Sequence, residues 1–267
     1  MKRMILAGIV ALAAGAGLQA QQPPAPAQKK DAPAAQKGPA PKSQGELTAV
    51  QALFTAANNH DPDATIKAAE DLLSKYSDTD FKEIALYTEA TAYQQKGDWV
   101  KAEIYANRVL ELNPKNIQAT LMVGELIATH TRENDLDRVE KLTKAEKYLN
   151  ETIANAKTME KPNPQITDAQ WEENRKYIIA EAQNDLGMAA LTRKNYALAA
   201  TQFKAAADAD PQPTYQVRLA SALQSEGKND EALAIVDKLL ADPALHPAIK
   251  QVATQVKTAA TQAKGGK

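Results

Sequence analysis

From Ser43 onward the chain alternates short amphipathic stretches with polar breaks. Apolar residues recur every three or four positions, beginning with Leu47, Val50, Leu53 and Phe54, which is the spacing of one face of an α-helix. Aromatic residues make up only 5% of the chain and alanine is abundant. Small side chains suit closely packed helices better than a β-sandwich. The pattern therefore predicts an all-α fold.

One of these stretches occurs a second time with a similar pattern of residues. Residues 97–116 read GDWVKAEIYANRVLELNPKN, and residues 194–214 read KNYALAATQFKAAADADPQPT. The matched pairs are Trp99/Tyr196, Ala102/Ala199, Ala106/Phe203, Val109/Ala206 and Pro114/Pro211. In the preceding helix Ala90 matches Gly187. This pattern resembles the tetratricopeptide repeat, a helix–turn–helix unit of about 34 residues.

The resemblance implies a right-handed superhelical solenoid of about five helix–turn–helix units plus a C-terminal capping helix. The expected units are 46–79, 83–116, 117–156, 180–213 and 213–246, and the capping helix is 247–263. Small residues at Ala90, Ala102, Gly187 and Ala199 are expected where the two helices of a unit cross. Unit 83–116 departs from the family pattern at Glu89, where leucine is usual.

Two segments interrupt the repeat. A charge-rich insertion is expected at Thr131–Leu142, between the helices of the third unit. Residues 156–171 contain Pro162 and Pro164, which break a helix. Thr167 and Gln170 have the spacing of a capping box for a helix that runs to Thr192. The array is expected to bend or to divide into two halves at 156–171.

The first 45 residues have a different composition. Lys2 and Arg3 precede an apolar run, and the sequence Gln19-Ala20 follows it, which is the plan of a secretory signal peptide. Cleavage is expected between Ala20 and Gln21, although an uncleaved anchor stays open as an alternative. Residues 21–45 are rich in Pro, Ala, Gln and Lys, which predicts a disordered linker. The chain is thus expected to be periplasmic or secreted from a bacterium.

Candidate chemistry is sparse. The chain has no cysteine, so disulfides and thiolate metal sites are excluded. The three histidines, His60, His130 and His246, lie far apart in the sequence and have no partner at metal-ligand spacing. Without Lys2 and Arg3, 30 basic residues face 33 acidic ones, so there is no basic excess for a nucleic acid. We expect no catalytic residue, no cofactor, no metal and no nucleic-acid partner, and membrane contact only through an uncleaved signal segment.

In the tetratricopeptide family the first helix of each unit lines a concave groove that holds a peptide. Carried over by motif position, the resemblance implies a partner-binding set at Tyr87, Thr91, Gln94, Leu121, Glu125, Asn184, Met188, Leu191, Val217 and Ser221. The predicted function is therefore a non-catalytic scaffold that binds a protein or peptide. The alternative is a structural envelope component that self-associates or attaches to wall or membrane through the basic linker and the lysines of the tail.

Overall fold

A computed structural model describes residues 38–162 and 164–265, and across these residues the chain forms eleven α-helices and no strand. The helices are α1 (Gln44–Asn58), α2 (Pro62–Lys75), α3 (Lys82–Gln95), α4 (Trp99–Leu112), α5 (Ile117–His130), α6 (Arg138–Thr158), α7 (Asp168–Thr192), α8 (Tyr196–Ala209), α9 (Pro213–Glu226), α10 (Asn229–Leu240) and α11 (Pro247–Gly265). The predicted all-α fold is confirmed. The signal peptide, its cleavage site, linker residues 21–37 and Lys267 lie outside the described residues.

Each helix packs on the next one along the chain, from α1 on α2 to α10 on α11. The helix pairs expected from the repeat, such as α3 with α4 and α7 with α8, are therefore present, and each pair also packs on the next pair along the chain. In addition, α5 packs on α7 and α9 packs on α11. This is the arrangement of a helical solenoid, in which an element contacts only its near neighbours.

Short polar side chains start many of these helices. Ser43, Asp61, Asp98, Asn116 and Asn195 each accept a hydrogen bond from a backbone N–H in the first turn of the helix that follows. Such caps satisfy N–H groups that have no partner inside the helix. They fix where these five helices begin.

The helices on the two sides of segment 156–171 remain in contact. Thr167 caps α7, with Thr167 N–H donating to Gln170 Oε1 at 3.1 Å and Gln170 N–H donating to Thr167 Oγ1 at 3.2 Å. The predicted capping box is thus confirmed. Arg175 Nε donates to the Ala156 carbonyl at 3.0 Å, which ties α7 to the end of α6. One continuous core spans this segment and runs from α2 to α7, so the array does not divide there.

The predicted insertion at Thr131–Leu142 is too long. Only residues 131–137 lie outside a helix, because α6 begins at Arg138. Leu142 is fully buried in the core, which explains why the helix extends back over the charge-rich stretch. The linker boundary also shifts, since α1 begins at Gln44 rather than after residue 45.

Helix α11 packs on α9 and α10 through a stripe of buried residues, Ala253, Val256 and Ala260. Its opposite face is exposed. Two lysines join it to α10: Lys257 Nζ lies 2.7 Å from Asp237 Oδ1, and Lys264 pairs with Asp230. None of the helices in the described part of the chain combines the length and the apolar character needed to cross a bilayer.

Candidate interaction groove

Helices α3, α5, α7 and α9 carry the side chains predicted to line the groove, and side-chain contacts join these helices. Gln94 Nε2 on α3 donates to Glu125 Oε2 on α5 at 3.2 Å. An Arg218 guanidinium N–H on α9 donates to Asn184 Oδ1 on α7. These contacts bring α3 beside α5 and α7 beside α9 at predicted positions, and we call the predicted positions on the four helices together the groove face.

Seven of the ten predicted residues are partly exposed on the groove face: Tyr87, Thr91, Gln94, Glu125, Met188, Leu191 and Ser221. The other three, Leu121, Asn184 and Val217, are buried. Leu121 and Val217 belong to the apolar core, and Asn184 is held by its hydrogen bonds. The side chains of these three residues have almost no exposed surface, so they support the groove residues and are not available to contact a partner directly.

An acidic residue lies beneath the groove face at Asp185. It is 3% exposed, and its Oδ1 accepts a hydrogen bond from Asn184 Nδ2 at 3.0 Å. Its Oδ2 is buried and has no hydrogen-bond partner. Burial raises the pKa of the Asp185 carboxyl well above its ordinary value, and the charges of Glu125 and Glu181 raise it further. Arg218 and the Asn184 hydrogen bond act in the opposite direction.

Two tyrosines are influenced by the carboxylate of Glu181. These are Tyr177 on α7 and Tyr215 on α9, and the negative charge of Glu181 acts on both. Burial raises the pKa of both tyrosines, and the Glu181 charge raises it further because a second negative charge nearby is unfavourable. The charges of Glu125 and Glu181 both act on Asp185, and we call these three carboxyl groups the acidic cluster.

The sequence carries one signal for this cluster. Ile178, Ala182, Asp185 and Ala189 recur at helical spacing and are all buried, so Asp185 stands on the apolar stripe of α7. A carboxyl at such a position is unusual, because burying a charge is costly unless the charge is paired. Tyr177, Tyr215 and Arg218 give no comparable signal, because contacts between α7 and α9, such as that of Arg218 with Asn184, arise only in the folded chain.

The histidines lie at or beside helix ends. The His130 ring lies 4.5 Å from the Trp99 ring, and its Nδ1 is 2.9 Å from the Leu126 carbonyl oxygen. His60 and His246 are exposed beside the starts of α2 and α11. In the described ranges, no group of three His, Asp or Glu side chains is arranged to hold a metal ion.

Two surface depressions lie away from the groove face. Each has a volume of about 430 Å³; one lies between α4 and α6 beside Leu110 and Tyr148, and the other between α1 and α2 beside Gly45 and Tyr76. Both are open to solvent, whereas small-molecule sites bury most of the ligand. They therefore do not compete with the groove face as a candidate site.

Comparison with known proteins agrees with this architecture. The family model described as tetratricopeptide repeat matches residues 84–116, which comprise most of α3, all of α4 and the turn that follows it. No curated protein matches the chain significantly.

Solved structures extend the likeness to most of the helices. A thermophilic tetratricopeptide-repeat protein of Thermus thermophilus superposes with a TM-score of 0.52 at 18% identity, over 80% of this chain and 98% of that one. MamA of Desulfovibrio magneticus superposes with a TM-score of 0.55 at 15% identity, over 80% of this chain and 97% of that one. The chain thus has the fold of a tetratricopeptide-repeat solenoid, and residues 84–116 carry the sequence of that repeat.

Proposed function

We propose that this protein is a non-catalytic interaction scaffold of the bacterial cell envelope, which binds a peptide or protein segment on the groove face. The tetratricopeptide-repeat fold is typical of protein-interaction scaffolds. The observation that carries the proposal is that polar side chains join α3 to α5 and α7 to α9, the four helices that carry the predicted groove residues. The envelope location is supported by the apolar run after Lys2 and Arg3, which has the plan of an export signal.

The chemistry of the groove face suits an extended peptide. Gln94, Thr91 and Ser221 offer amide and hydroxyl groups, and Met188 and Leu191 offer apolar surface. Amides and hydroxyls can hydrogen-bond a peptide backbone, while apolar depressions select side chains. Because these residues are only partly exposed, their positions are set by the helices before a partner arrives, which lowers the entropic cost of binding.

The alternative function, attachment through basic tail residues, is weakened by one observation. The tail lysines on which it relies are Lys257, Lys264 and Lys267, and the first two form ion pairs with α10. Exposed ion pairs are individually weak, but these two hold the lysines against the protein's own surface. The groove face therefore remains the proposed binding surface.

The test is affinity capture from an envelope fraction on three immobilised proteins. The first is the unchanged chain. The second carries Thr91→Arg and Ser221→Arg, which place bulky cations at two partly exposed groove positions. The third carries Ser74→Arg and Thr201→Arg, the same residue types and charge change on the exposed sides of α2 and α8. Proteins retained by the first and third but lost by the second would support the proposal.

Proteins retained equally by all three would place binding on another surface and contradict the groove proposal. The location is tested separately, by fractionating cells that express the full-length chain and sequencing the N-terminus of the protein. A mature protein that begins at Gln21 in the periplasmic fraction is the expected result. An intact chain in the cytoplasm would contradict the envelope role.

A further inference from the structure

Glu89 on α3 is a carboxyl group inside the core that has no partner. Its side chain has no exposed surface, and it lies on the buried face of α3, one turn after Ala85 and one turn before Tyr93. Both carboxyl oxygens are buried without a hydrogen bond to any described residue. Buried polar atoms nearly always have a partner, so one that lacks it calls for an explanation. Apolar packing does not supply one, because leucine is usual at this position of the repeat.

The cations of the neighbouring helix α4 do not pair with Glu89. Lys101 Nζ lies over the ring of Tyr93, 4.9 Å from its centroid. The guanidinium carbon of Arg108 lies 5.0 Å from the ring centroid of Tyr105. Both cations act on Glu89 only at longer range, and Tyr105 is the other titratable group of α4 that acts on it.

The other two helices that contact α3 do not compensate for this. From α2, the group that acts on Glu89 is Glu70, which is a second carboxyl. Helix α1 meets α3 in an apolar cluster that includes Leu53 and Phe81. Ionisation of Glu89 therefore leaves a buried charge without a partner, which is unfavourable. Burial accordingly raises the pKa of this carboxyl to about 7.

Glu89 also lies at the boundary between two cores. Helices α1 to α3 share a core of their own, formed by Val50, Leu53, Ala69, Leu72, Phe81 and Ala85. The larger core of the array begins on α3 with Leu86 and Ala90, on either side of Glu89. Packing of α3 on α4 is the main helix contact that joins the first three helices to the rest. We call α1 to α3 the terminal body.

Polar contacts support this junction only near the two ends of α3. Asn113 Nδ2 and Asn116 Nδ2 donate to Glu83 Oε1 at 3.0 Å and 2.7 Å, close to the start of α3. Gln94, close to its end, donates to α5. The middle of the contact between α3 and α4 thus depends on the packing around Glu89.

We propose that Glu89 is a pH-sensitive hinge residue, whose loss of a proton loosens the terminal body from α4. The terminal body carries Tyr87, Thr91 and Gln94, which form the N-terminal part of the groove face. Loosening moves these three residues away from the groove positions on α5, α7 and α9, so it weakens binding. The control of binding rests on the proposed function, whereas the hinge itself does not.

The direction of the effect follows from proton linkage. Opening exposes the Glu89 carboxyl to water, where its pKa returns to an ordinary value of about 4. Protonation therefore favours the closed array. The equilibrium constant for opening should rise with pH by up to about tenfold per pH unit, level off above about pH 7, and so favour the open form at alkaline pH.

Hydrogen exchange of the full-length chain, followed by mass spectrometry from pH 5 to pH 7.5, tests the hinge. Exchange reports local opening once it is corrected for the intrinsic rate at each pH. Protection of the amides in α1 to α3 should fall at least about tenfold over this range. Protection in α10 and α11, at the other end of the array, should change much less, because repeats contact only their neighbours.

Three variants locate the effect. Glu89→Gln and Glu89→Leu remove the titrating group, so protection of α1 to α3 should no longer depend on pH. Glu140→Gln, which alters an exposed carboxylate on α6, is the matched control and should keep the fall. If Glu89→Gln does not fold, as judged by its circular dichroism melting curve, Glu89→Leu decides the question, because leucine is the residue usual in the repeat.

A fall of equal size along the whole array, or one that persists in the Glu89 variants, would overturn the hinge and leave the groove proposal standing. Binding is tested by repeating the affinity capture at pH 5.5 and pH 7.5. Proteins held at the groove should be lost at pH 7.5 by the unchanged chain and kept by Glu89→Leu. Equal loss from both would overturn the control of binding. Capture that is unaffected by Thr91→Arg and Ser221→Arg would instead overturn the groove proposal, whatever the exchange shows.

Discussion

Phe203 occupies the space that a side chain on Gly187 would need. A β-carbon built on Gly187 of α7 would lie 2.5 Å from Cε1 of Phe203 on α8, which is closer than two carbon atoms can approach. In unit 83–116 the matching residues are Ala90 and Ala106. The large ring of Phe203 is thus matched with a glycine, whereas the earlier unit has alanine at both positions.

Gly187→Ala should therefore destabilise the protein, by about 1–3 kcal/mol from overpacking, less the gain of up to about 1 kcal/mol that alanine brings inside a helix. Phe203→Leu alone should also destabilise it, because the ring is fully buried. The double variant should lose clearly less than the sum of the two. Urea unfolding of all four proteins measures this coupling, and additive losses would show that the two residues do not compete for space.

Lys194 adopts a backbone conformation that favours glycine. Its φ is 58°, and Gly97, at the matching position of the earlier unit, has a φ of 75°. A non-glycine residue in this region costs roughly 1 kcal/mol. Lys194→Gly should raise the free energy of unfolding by up to about 1 kcal/mol, reduced by the loss of the exposed ion pair with Glu133.

Glu133→Gln is the control for that ion pair, because it removes the pair without changing the backbone at residue 194. Chemical denaturation of the two variants separates the contributions. A Lys194→Gly protein that is less stable than Glu133→Gln would contradict the assignment of strain to Lys194.

Glu89 should make stability depend on pH. It is fully buried, and burial raises its pKa to about 7, while Tyr105 lowers it and Glu70, Arg108 and Lys101 act on it more weakly. A carboxyl whose pKa is higher in the folded state stabilises the fold when it is protonated. That stability is present below about pH 4 and is lost as pH rises through about 7.

Glu89→Gln removes this titration. The difference in free energy of unfolding between Glu89→Gln and the unchanged chain should therefore shift in favour of the variant by about 1–3 kcal/mol between pH 4.5 and pH 8. Glu140→Gln, which alters an exposed carboxylate, should show no such shift. Parallel curves for Glu89→Gln and the unchanged chain across this range would contradict the prediction.

Arg218 partly offsets the negative charge around Asp185. Arg218→Met keeps much of the side-chain volume but removes the hydrogen bond to Asn184 and the positive charge. We expect a loss of about 1–3 kcal/mol at pH 7, and a further rise in the pKa of the Asp185 carboxyl. Arg132→Met, on an exposed loop, is the control.

The loss for Arg218→Met should become smaller as pH falls, because protonation of Asp185 removes the charge that the arginine offsets. Thermal unfolding between pH 5 and pH 8 measures this trend. A loss that does not change with pH would indicate that Arg218 acts through packing alone.

The sequence by itself determined the helices, their order and the type of repeat. Helical spacing of apolar residues, caps such as Thr167 and the paired small residues at the helix crossings depend on neighbours close in the chain, so local rules suffice to predict them. The same rules predicted an insertion that extends to Leu142, which is too long. The charged residues before Leu142 indicated a loop, and no sequence pattern showed that Leu142 packs in the core.

Tertiary structure alone decided what the groove face contains. Contacts between units join residues about 30 or more positions apart, such as Gln94 with Glu125 and Asn184 with Arg218. Motif positions predicted which residues face the groove, but Leu121, Asn184 and Val217 proved to be buried, since exposure depends on how closely neighbouring helices approach. The unpaired oxygen of Asp185 follows from the same packing of α5, α7 and α9, which no local pattern of the sequence encodes.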